Sequence, residues 1–158
     1  MKGVDGHVQP TKLPDGLRLA DDRGAFTFSS PAPHIELMRC EGYAQASHVD
    51  FVLSNRERIL SRCGRIAIFD DLEKLQGYDS DVRIRLSKWA REHRSQIVTF
   101  HILTRSKVVA MGVTVANLAL GGRICAHAIR SAFDAELALE IRRGGKRGER
   151  MPSSGSGP

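Results

Sequence analysis

The sequence predicts an α/β domain with a mostly parallel mixed sheet, an N-terminal antiparallel strand pair and about four helices. Three observations predict this class. Short strand-like segments alternate with helix-length segments over residues 25–143. Only a proline-containing turn separates the first two strand segments, which is typical of an antiparallel pair. Helices separate the later strands, and such an alternation favours a parallel arrangement.

The N-terminal elements follow from composition and spacing. Residues 1–24 are rich in Gly, Pro, Asp and Lys without clear periodicity, which predicts a flexible leader. Residues 25–30 (AFTFSS) and 34–44 (HIELMRCEGYA) predict the antiparallel strands. Residues 46–62 predict the first helix because apolar residues recur at near-helical spacing, and Gly64 stands where a helix-ending glycine is common.

The remaining elements alternate between strand and helix. We expect a strand at 65–72, a loop at 70–80, a helix at 80–94, a strand at 96–103, a helix at 108–120, a strand at 123–129 and a helix at 131–143. The helix at 108–120 is apolar nearly all round, which predicts that it is largely buried. The sequence thus divides into a flexible leader (1–24), a single α/β domain (25–143) and a disordered basic tail (144–158).

Charge and cysteine content narrow the function classes. The net charge is +6, but five basic residues and one acidic residue from Arg142 onward supply +4 of it. The remaining +2 leaves the domain nearly neutral, so no specific nucleic-acid partner is expected. Three separated cysteines form neither a disulfide framework nor a metal motif, which favours a reducing, cytoplasmic setting. The apolar segments are shorter than the roughly 20 residues of a transmembrane helix.

The most conspicuous polar stretch is Tyr78-Asp79-Ser80-Asp81, just before the predicted second helix. One interpretation is a helix cap, in which Asp79 or Ser80 accepts a bond from a free backbone N–H. Asp81 in the first turn suits the helix dipole. The other interpretation is an exposed phospho-acceptor at Ser80, although the neighbouring aspartates would repel a phosphate.

The other polar clusters give weaker signals for metal binding or catalysis. Asp70, Asp71 and Glu73 could hold Mg²⁺ or act as an acid–base pair, but adjacent strand residues point to opposite faces. Cys125, His127 and His101 could in principle hold zinc, and a structural role is favoured. The sequence contains no nucleophile motif and no phosphate loop. We therefore expect no catalytic residue, metal ion or cofactor.

Two further segments are candidates for ligand contacts. Arg105-Ser106-Lys107 stands between a strand and a helix, where it could bind an anion or a partner or simply form a capped turn. The third helix could line an apolar cavity with Val109, Met111 and Val113, or these residues could be ordinary core.

Three segments together resemble the STAS superfamily, which includes bacterial anti-sigma factor antagonists, and in particular a bacterial branch grouped with lipid-transfer folds. The segments are Phe69-Asp70-Asp71, Gly77-Tyr78-Asp79-Ser80 and the stretch 105–112, and the resemblance covers about residues 25–141. It implies a STAS-like fold and a protein without enzymatic activity. Asp79-Ser80 matches the Asp-Ser pair that carries the family's phosphorylatable serine, but Asp81-Val82 follows instead of Ser-Gly.

Two functions remain open on this basis. The first is a STAS-like regulatory module in signalling, which binds an unidentified partner protein through a rim formed by Asp79, Ser80, the second helix and residues 105–107. A phosphorylation switch at Ser80 would control it. The alternative is a small apolar-ligand or lipid-binding protein of the lipid-transfer type, with the ligand between the third helix and the sheet. An enzyme is the least favoured class, and the oligomeric state stays open.

Overall fold

A computed structural model describes residues 8–148. Seven strands form one sheet in chain order: β1 (Thr11–Leu13), β2 (Gly16–Ala20), β3 (Gly24–Ser29), β4 (Ile35–Ala44), β5 (Ile66–Tyr78), β6 (Ile97–Leu103) and β7 (Ile124–His127). The helices are α1 (Val49–Cys63), α2 (Ser80–Glu92), α3 (Lys107–Ala119) and α4 (Arg130–Gly148), and a 3₁₀ turn (Ala46–His48) precedes α1. Strands β1 to β4 pair antiparallel, whereas β4 to β7 pair parallel.

The predicted α/β class, with a mixed sheet and four helices, is confirmed. The antiparallel part is larger than expected, because β1 and β2 form within the segment that we predicted to be a leader. Leu17 and Leu19 pair with Phe28 and Phe26 of β3. The leader prediction is therefore wrong for residues 11–20, while residues 1–7 lie outside the described part. These two strands are too short for their alternation to be distinctive.

Strand β5 is the second departure from the predicted elements. We expected a loop from Asp70 to Ser80, yet the strand continues to Tyr78 and pairs with β4 along that length. Two register shifts, between Arg39 and Glu41 and between Gly42 and Tyr43, accommodate the long pairing. Asp70, Asp71 and Glu73 favoured a loop in the sequence, but in the sheet each of these carboxylates pairs with an arginine.

The helices cover the two faces of the sheet unequally. The large apolar core lies between one face and α1, α2 and α3, and it includes Phe28, Ile68 and Trp89. A smaller apolar cluster on the other face surrounds Phe133 of α4. No helix within residues 8–148 has both the length and the apolar composition needed to cross a bilayer.

Helix α4 extends past its predicted end at residue 143 to Gly148. His34 Nε2 and Glu140 Oε1, both buried, are hydrogen-bonded at 2.9 Å, and this contact joins α4 to the start of β4. Gly144 lies against the His34 ring so closely that a Cβ there would meet its Cε1 at 2.7 Å. The disordered-tail prediction is therefore wrong for residues 144–148, and residues 149–158 lie outside the described part.

Helix α3 is less buried than its composition predicts. Val109, Gly112 and Val113 face the core. Four large apolar side chains of the same helix are exposed: Val108, Met111, Val115 and Leu118. The prediction of a largely buried helix is thus wrong, because an all-apolar helix can bury one side and still present the other to solvent.

Candidate functional site

A buried arginine of α1 contacts two neighbouring strands within the large core. Arg56 of α1 donates from Nε to Oε1 of Glu36 in β4 at 2.8 Å. Its Nη2 donates to both carboxylate oxygens of Asp70 in β5 at 3.0 Å. All three side chains are buried, and the guanidinium has no exposed surface. We call Glu36, Arg56 and Asp70 the buried triad.

The hydrogen bonds of the buried triad leave one group without a partner. Oε2 of Glu36 accepts from Asn55 Nδ2 at 2.7 Å, so both Glu36 oxygens are bonded. Both Asp70 oxygens accept from Arg56. Among the residues that the structure describes, Arg56 Nη1 is the buried side-chain nitrogen that finds no acceptor.

A cavity of about 100 Å³ adjoins the triad, between the sheet and helices α2 and α3. Arg56 and Asp70 form part of its wall. The rest of the wall is mainly apolar and comes from β3 to β7 and both helices; it includes Met38, Leu75, Val82, Leu86, Ala90, Phe100, Ile102, Val109, Val113, Ala116 and Ile124. We call this space the triad cavity.

Burial and charge work against each other in the buried triad. Burial raises the pKa of Asp70 to about 6, although Arg56 lowers it, and the nearby Glu36 raises it further. Burial opposes the charged form of Arg56, but the two carboxylates outweigh this effect and raise the pKa of its guanidinium. With all three groups ionised, the triad carries a formal charge of −1 in a site without solvent.

Two of the three residues expected to line an apolar cavity do so. Val109 and Val113 belong to the wall of the triad cavity. Met111 lies on the outer side of α3 with 70% of its surface exposed, so its expected place in the wall was wrong. The helical period explains the difference, because Met111 lies two positions from both valines.

The stretch at Tyr78-Asp79-Ser80-Asp81 is arranged differently from a simple cap. Asp79 is the N-cap residue of α2, but its side chain makes no capping bond. Its Oδ1 accepts from the Tyr43 hydroxyl at 3.1 Å, and its Oδ2 accepts from the backbone N–H of Ala46 at 3.0 Å. Ser80 and Asp81 are exposed. Asp79 therefore ties the end of β4 to the start of α2.

The neighbouring Tyr78 packs against α3. A Cβ added at Gly112 would lie 1.8 Å from the Tyr78 hydroxyl oxygen. Glycine at this position therefore lets α3 approach the end of β5 closely. Both Tyr78 and Gly112 also belong to the wall of the triad cavity, so this contact helps to form one of its boundaries.

The segment 105–107 is a capped turn with one outward ion pair. Ser106 accepts from the backbone N–H of Val109 at 3.3 Å and so caps α3. Arg105 pairs with Glu73 of β5 at 3.2 Å, and Glu73 also pairs with Arg130 at the start of α4. Lys107 is exposed. These contacts join the segment to the α4 side of the sheet.

The two adjacent aspartates of β5 lie on opposite faces, as strand geometry predicts. Asp70 bonds Arg56 beneath α1, whereas Asp71 accepts from Arg130 of α4 at 2.9 Å. They therefore do not share an ion. Within residues 8–148, no three His, Cys, Asp or Glu side chains converge to hold a metal.

Histidines 48, 101 and 127 are engaged in structural contacts. Nδ1 of His101 and Nε2 of His127 lie 2.9 Å apart, and the His101 ring stacks on Phe69. Burial and His127 both lower the pKa of His101. His48 accepts from the Gln45 N–H at Nδ1 and bonds Asp21 at Nε2, so neither of its nitrogens is available as a general base.

Sequence reasoning missed the buried triad, although a signal for it exists. In α1 the buried positions Val49, Val52 and Ile59 follow the helical period, and Arg56 occupies the position between them where an apolar residue is expected. In β4, Glu36 points to the same face as the buried Met38. A basic and an acidic residue at two core positions predict a buried pair.

Two comparisons with known proteins identify no relative of this chain. No protein-family model matches the chain. The search of curated proteins gives no match either. The functional proposal below therefore depends on the described residues and on their physical chemistry.

Proposed function

We propose that the protein binds a small apolar molecule in the triad cavity. The observation that carries this proposal is the cavity itself, which lies between the sheet and α2 and α3 within the large core. Protein cores are normally packed as densely as organic crystals, so a void of this size among apolar side chains is unusual.

The volume limits the size of the ligand. A cavity of about 150 Å³ in another protein accepts benzene, so the 100 Å³ of the triad cavity limits the ligand to no more than about six non-hydrogen atoms. A lipid with long acyl chains would need several hundred Å³. The proposal is therefore narrower than the lipid-binding alternative expected from the sequence.

The energy of an empty cavity supports a ligand. Apolar side chains that border an empty space lack part of the dispersion contacts that a filled core provides. A molecule that fills it recovers part of this loss through dispersion contacts with the wall. Binding to the folded state alone also raises the thermal stability, by an amount that grows with the logarithm of the ligand concentration once this exceeds the Kd.

A titration with methylenecyclopentane, a hydrocarbon of six carbon atoms, tests the proposal. Wild type should bind the probe, with chemical-shift changes at the methyl groups of Val109 and Val113 and a rise in melting temperature. The variant Ala116→Leu, which places a larger side chain in the wall, should lose both responses.

Ala119→Leu is the matched control, because Ala119 lies on the same helix and is exposed. It should bind the probe as wild type does. Absence of binding by wild type, or equal binding by Ala116→Leu at full folding, would overturn the proposal.

A second candidate function, self-association through α3, has a specific observation in its favour. Val108, Met111, Val115 and Leu118 are exposed, and their spacing of three, four and three residues is that of the contact positions of a coiled coil. We call these four residues the α3 seam. A narrow seam with this spacing fits another helix.

A second copy of the same helix suits the α3 seam. The only charged residue of α3 is Lys107 at its N-terminus, so two seams meet without repulsion between charges along them. In an antiparallel pairing, Lys107 would lie near the C-terminal carbonyl groups of the partner helix, where a cation is favourable.

The STAS-like regulatory role belongs with this second candidate. Ser80 is exposed at the start of α2, and α2 packs beside α3. A phosphate on Ser80 would add negative charge to the same side of the molecule as the α3 seam. This switch stays a prediction, which a comparison of the oligomeric state of Ser80→Asp and Ser80→Ala variants can check.

A further inference from the structure

A charged cleft of about 630 Å³ lies on the face of the sheet that α4 covers. Its wall includes Arg39 of β4, Asp71 and Glu73 of β5, Arg105 after β6 and Arg130 at the start of α4. We call this space the arginine cleft. We propose that it binds a small molecule with a phosphate monoester group, which Arg39 and Arg105 hold on either side of Arg130. This inference is independent of the triad cavity, because the two sites lie on opposite faces of the sheet.

The pairing of the strands brings the three arginines together. Arg39 pairs with Asp71 in the β4–β5 ladder, and Asp71 pairs with Leu103 in the β5–β6 ladder. Arg105 follows two residues after Leu103, so Arg39 and Arg105 flank β5. Arg105 and Arg130 follow the carboxyl ends of the parallel strands β6 and β7, a usual place for ligand-binding residues in α/β sheets.

Two carboxylates hold the three guanidinium groups close to one another. Arg130 Nη2 donates to Asp71 Oδ2 at 2.9 Å, and Arg39 Nε lies 3.6 Å from the same oxygen. Arg130 Nε donates to Glu73 Oε2 at 2.8 Å, and Arg105 Nε lies 3.2 Å from Oε1 of that carboxylate. Arg130 thus shares one carboxylate with each of its neighbours, which places the three cations within reach of one small anion.

Arg39 and Arg105 keep hydrogen-bond donors for a ligand. Within residues 8–148, each contacts its carboxylate through Nε, so the two Nη groups of each side chain remain available. The side chains of Arg39 and Arg105 are 59% and 65% exposed, whereas those of Asp71 and Glu73 are 8% and 20% exposed. The guanidinium groups therefore cover the carboxylates and form the accessible layer of the wall.

The charge of the cleft favours an anion. The wall contains four basic and three acidic side chains. One of the acids, Glu41, also pairs with Arg18 outside the wall at 3.8 Å, and Asp134 of α4 lies 3.9 Å from Arg130 Nη1. The two outer arginines share their carboxylates with Arg130, so the surplus of positive charge lies with them. An anion between them would form charge-assisted hydrogen bonds.

The number of donors selects a phosphate monoester. A carboxylate has two oxygens and fills one guanidinium fork, whereas a phosphate monoester has three free oxygens and nearly two negative charges at neutral pH. Its oxygens can accept from the forks of Arg39 and Arg105 at once. The cleft, at about 630 Å³, also falls within the range of about 300–1,000 Å³ that is typical of small-molecule sites. It therefore has room for an organic part beside the phosphate.

A titration with phenyl phosphate tests the inference, with phenyl sulfate and inorganic phosphate as comparison probes. Phenyl sulfate has a similar shape but a single negative charge, and inorganic phosphate lacks the organic part. Binding is measured by NMR at pH 7.5 and about 0.15 M NaCl, where weak attraction to exposed charges is largely screened. The variants are Arg39→Gln, Arg105→Gln and, as a matched control, Arg91→Gln, which removes the same charge from an exposed position of α2.

Wild type should bind phenyl phosphate, with shifts of the Nε–H resonances of Arg39 and Arg105. Arg39→Gln and Arg105→Gln should each weaken the affinity about tenfold or more, since hydrogen bonds to a charged group are lost. Arg91→Gln should bind as wild type does. Phenyl sulfate and inorganic phosphate should both bind wild type more weakly than phenyl phosphate. All three substituted positions are exposed, so the variants should keep the melting temperature of wild type.

Several results would overturn the inference. Absence of phenyl phosphate binding, or equal affinity in all three variants, would remove the role of the arginine cleft. Phenyl sulfate that binds as tightly as phenyl phosphate would contradict the choice of a doubly charged group. Inorganic phosphate that binds as tightly would contradict the organic part. Cosedimentation with vesicles that carry phosphatidic acid, without binding of phenyl phosphate, would replace the small molecule by a lipid surface. None of these results affects the triad cavity.

Discussion

Arg56 donates from Nη2 to both carboxylate oxygens of Asp70 at 3.0 Å, and both side chains are buried. This contact joins α1 to the middle of β5 and places a charged group in the wall of an apolar cavity. The pair has a structural consequence and a functional one. It makes the core intolerant of losing either partner alone, and it places two charged groups beside a mainly apolar cavity.

Replacement of Arg56 alone should destabilise the protein severely. Arg56→Met leaves Glu36 and Asp70 buried without their cation, and removal of one partner from a buried pair typically costs about 3–5 kcal/mol. Urea denaturation measures the free energy of unfolding. The triple variant Glu36→Gln/Arg56→Met/Asp70→Asn should recover most of the loss, and Arg91→Met on exposed α2 surface should match wild type. Equal stability of Arg56→Met and Arg91→Met would contradict the buried triad.

Stability should depend on the protonation of Asp70. Its pKa in the folded protein, about 6, lies above the ordinary value of 3.8, so the folded state holds a proton that the unfolded chain has released between these values. This contribution is fully present below about pH 4 and is lost as the pH rises through about 6. The free energy of unfolding of Asp70→Asn should therefore rise relative to that of wild type from pH 4 to 6 and change little above 7. A difference that is independent of pH would refute the shift.

Gly112→Ala should destabilise the protein even though alanine favours helices. The new Cβ would lie 1.8 Å from the Tyr78 hydroxyl oxygen, so α3 or the tyrosine must move, at a cost of about 1–3 kcal/mol. Gly145→Ala in α4 is the matched control, because nothing lies within 4 Å of its added Cβ; it should be neutral or stabilising by up to about 1 kcal/mol. In a double-mutant cycle by thermal unfolding, Tyr78→Leu should relieve the Gly112→Ala penalty, and additive effects would argue against this contact.

Self-association through the α3 seam should be sensitive to one charge. Leu118→Glu places a carboxylate at the most exposed seam position, 78% exposed in the single chain, so it should weaken a dimer without harming the fold. Sedimentation velocity over a concentration series measures the dimer fraction. Ile84→Glu, at an exposed apolar position of α2, is the control and should dimerise as wild type does. A wild type that stays monomeric throughout the series, or that instead sediments with anionic vesicles, would exclude this candidate.

Much of the architecture was predictable from local patterns. The strands at β3, β4, β6 and β7 and the four helices follow the apolar periodicity, because one face of each element is buried against the core. Strands β1 and β2 and the extension of β5 beyond Leu72 were not predictable in this way. Their polar residues are stabilised by neighbours distant in sequence, as when Arg130 bonds Glu73, and a local pattern contains no such information.

In the candidate site, too, local patterns predicted some features and not others. Composition alone made α3 a place for an apolar ligand, and Val109 and Val113 do line the triad cavity. The sequence by itself determined the α/β class and most element positions, since these depend on spacing along the chain. Only the tertiary structure decided that Arg56 meets Asp70 beside a cavity and that Met111 faces outward. These relationships depend on how separate elements pack, and pairing across the core is a property of the whole fold.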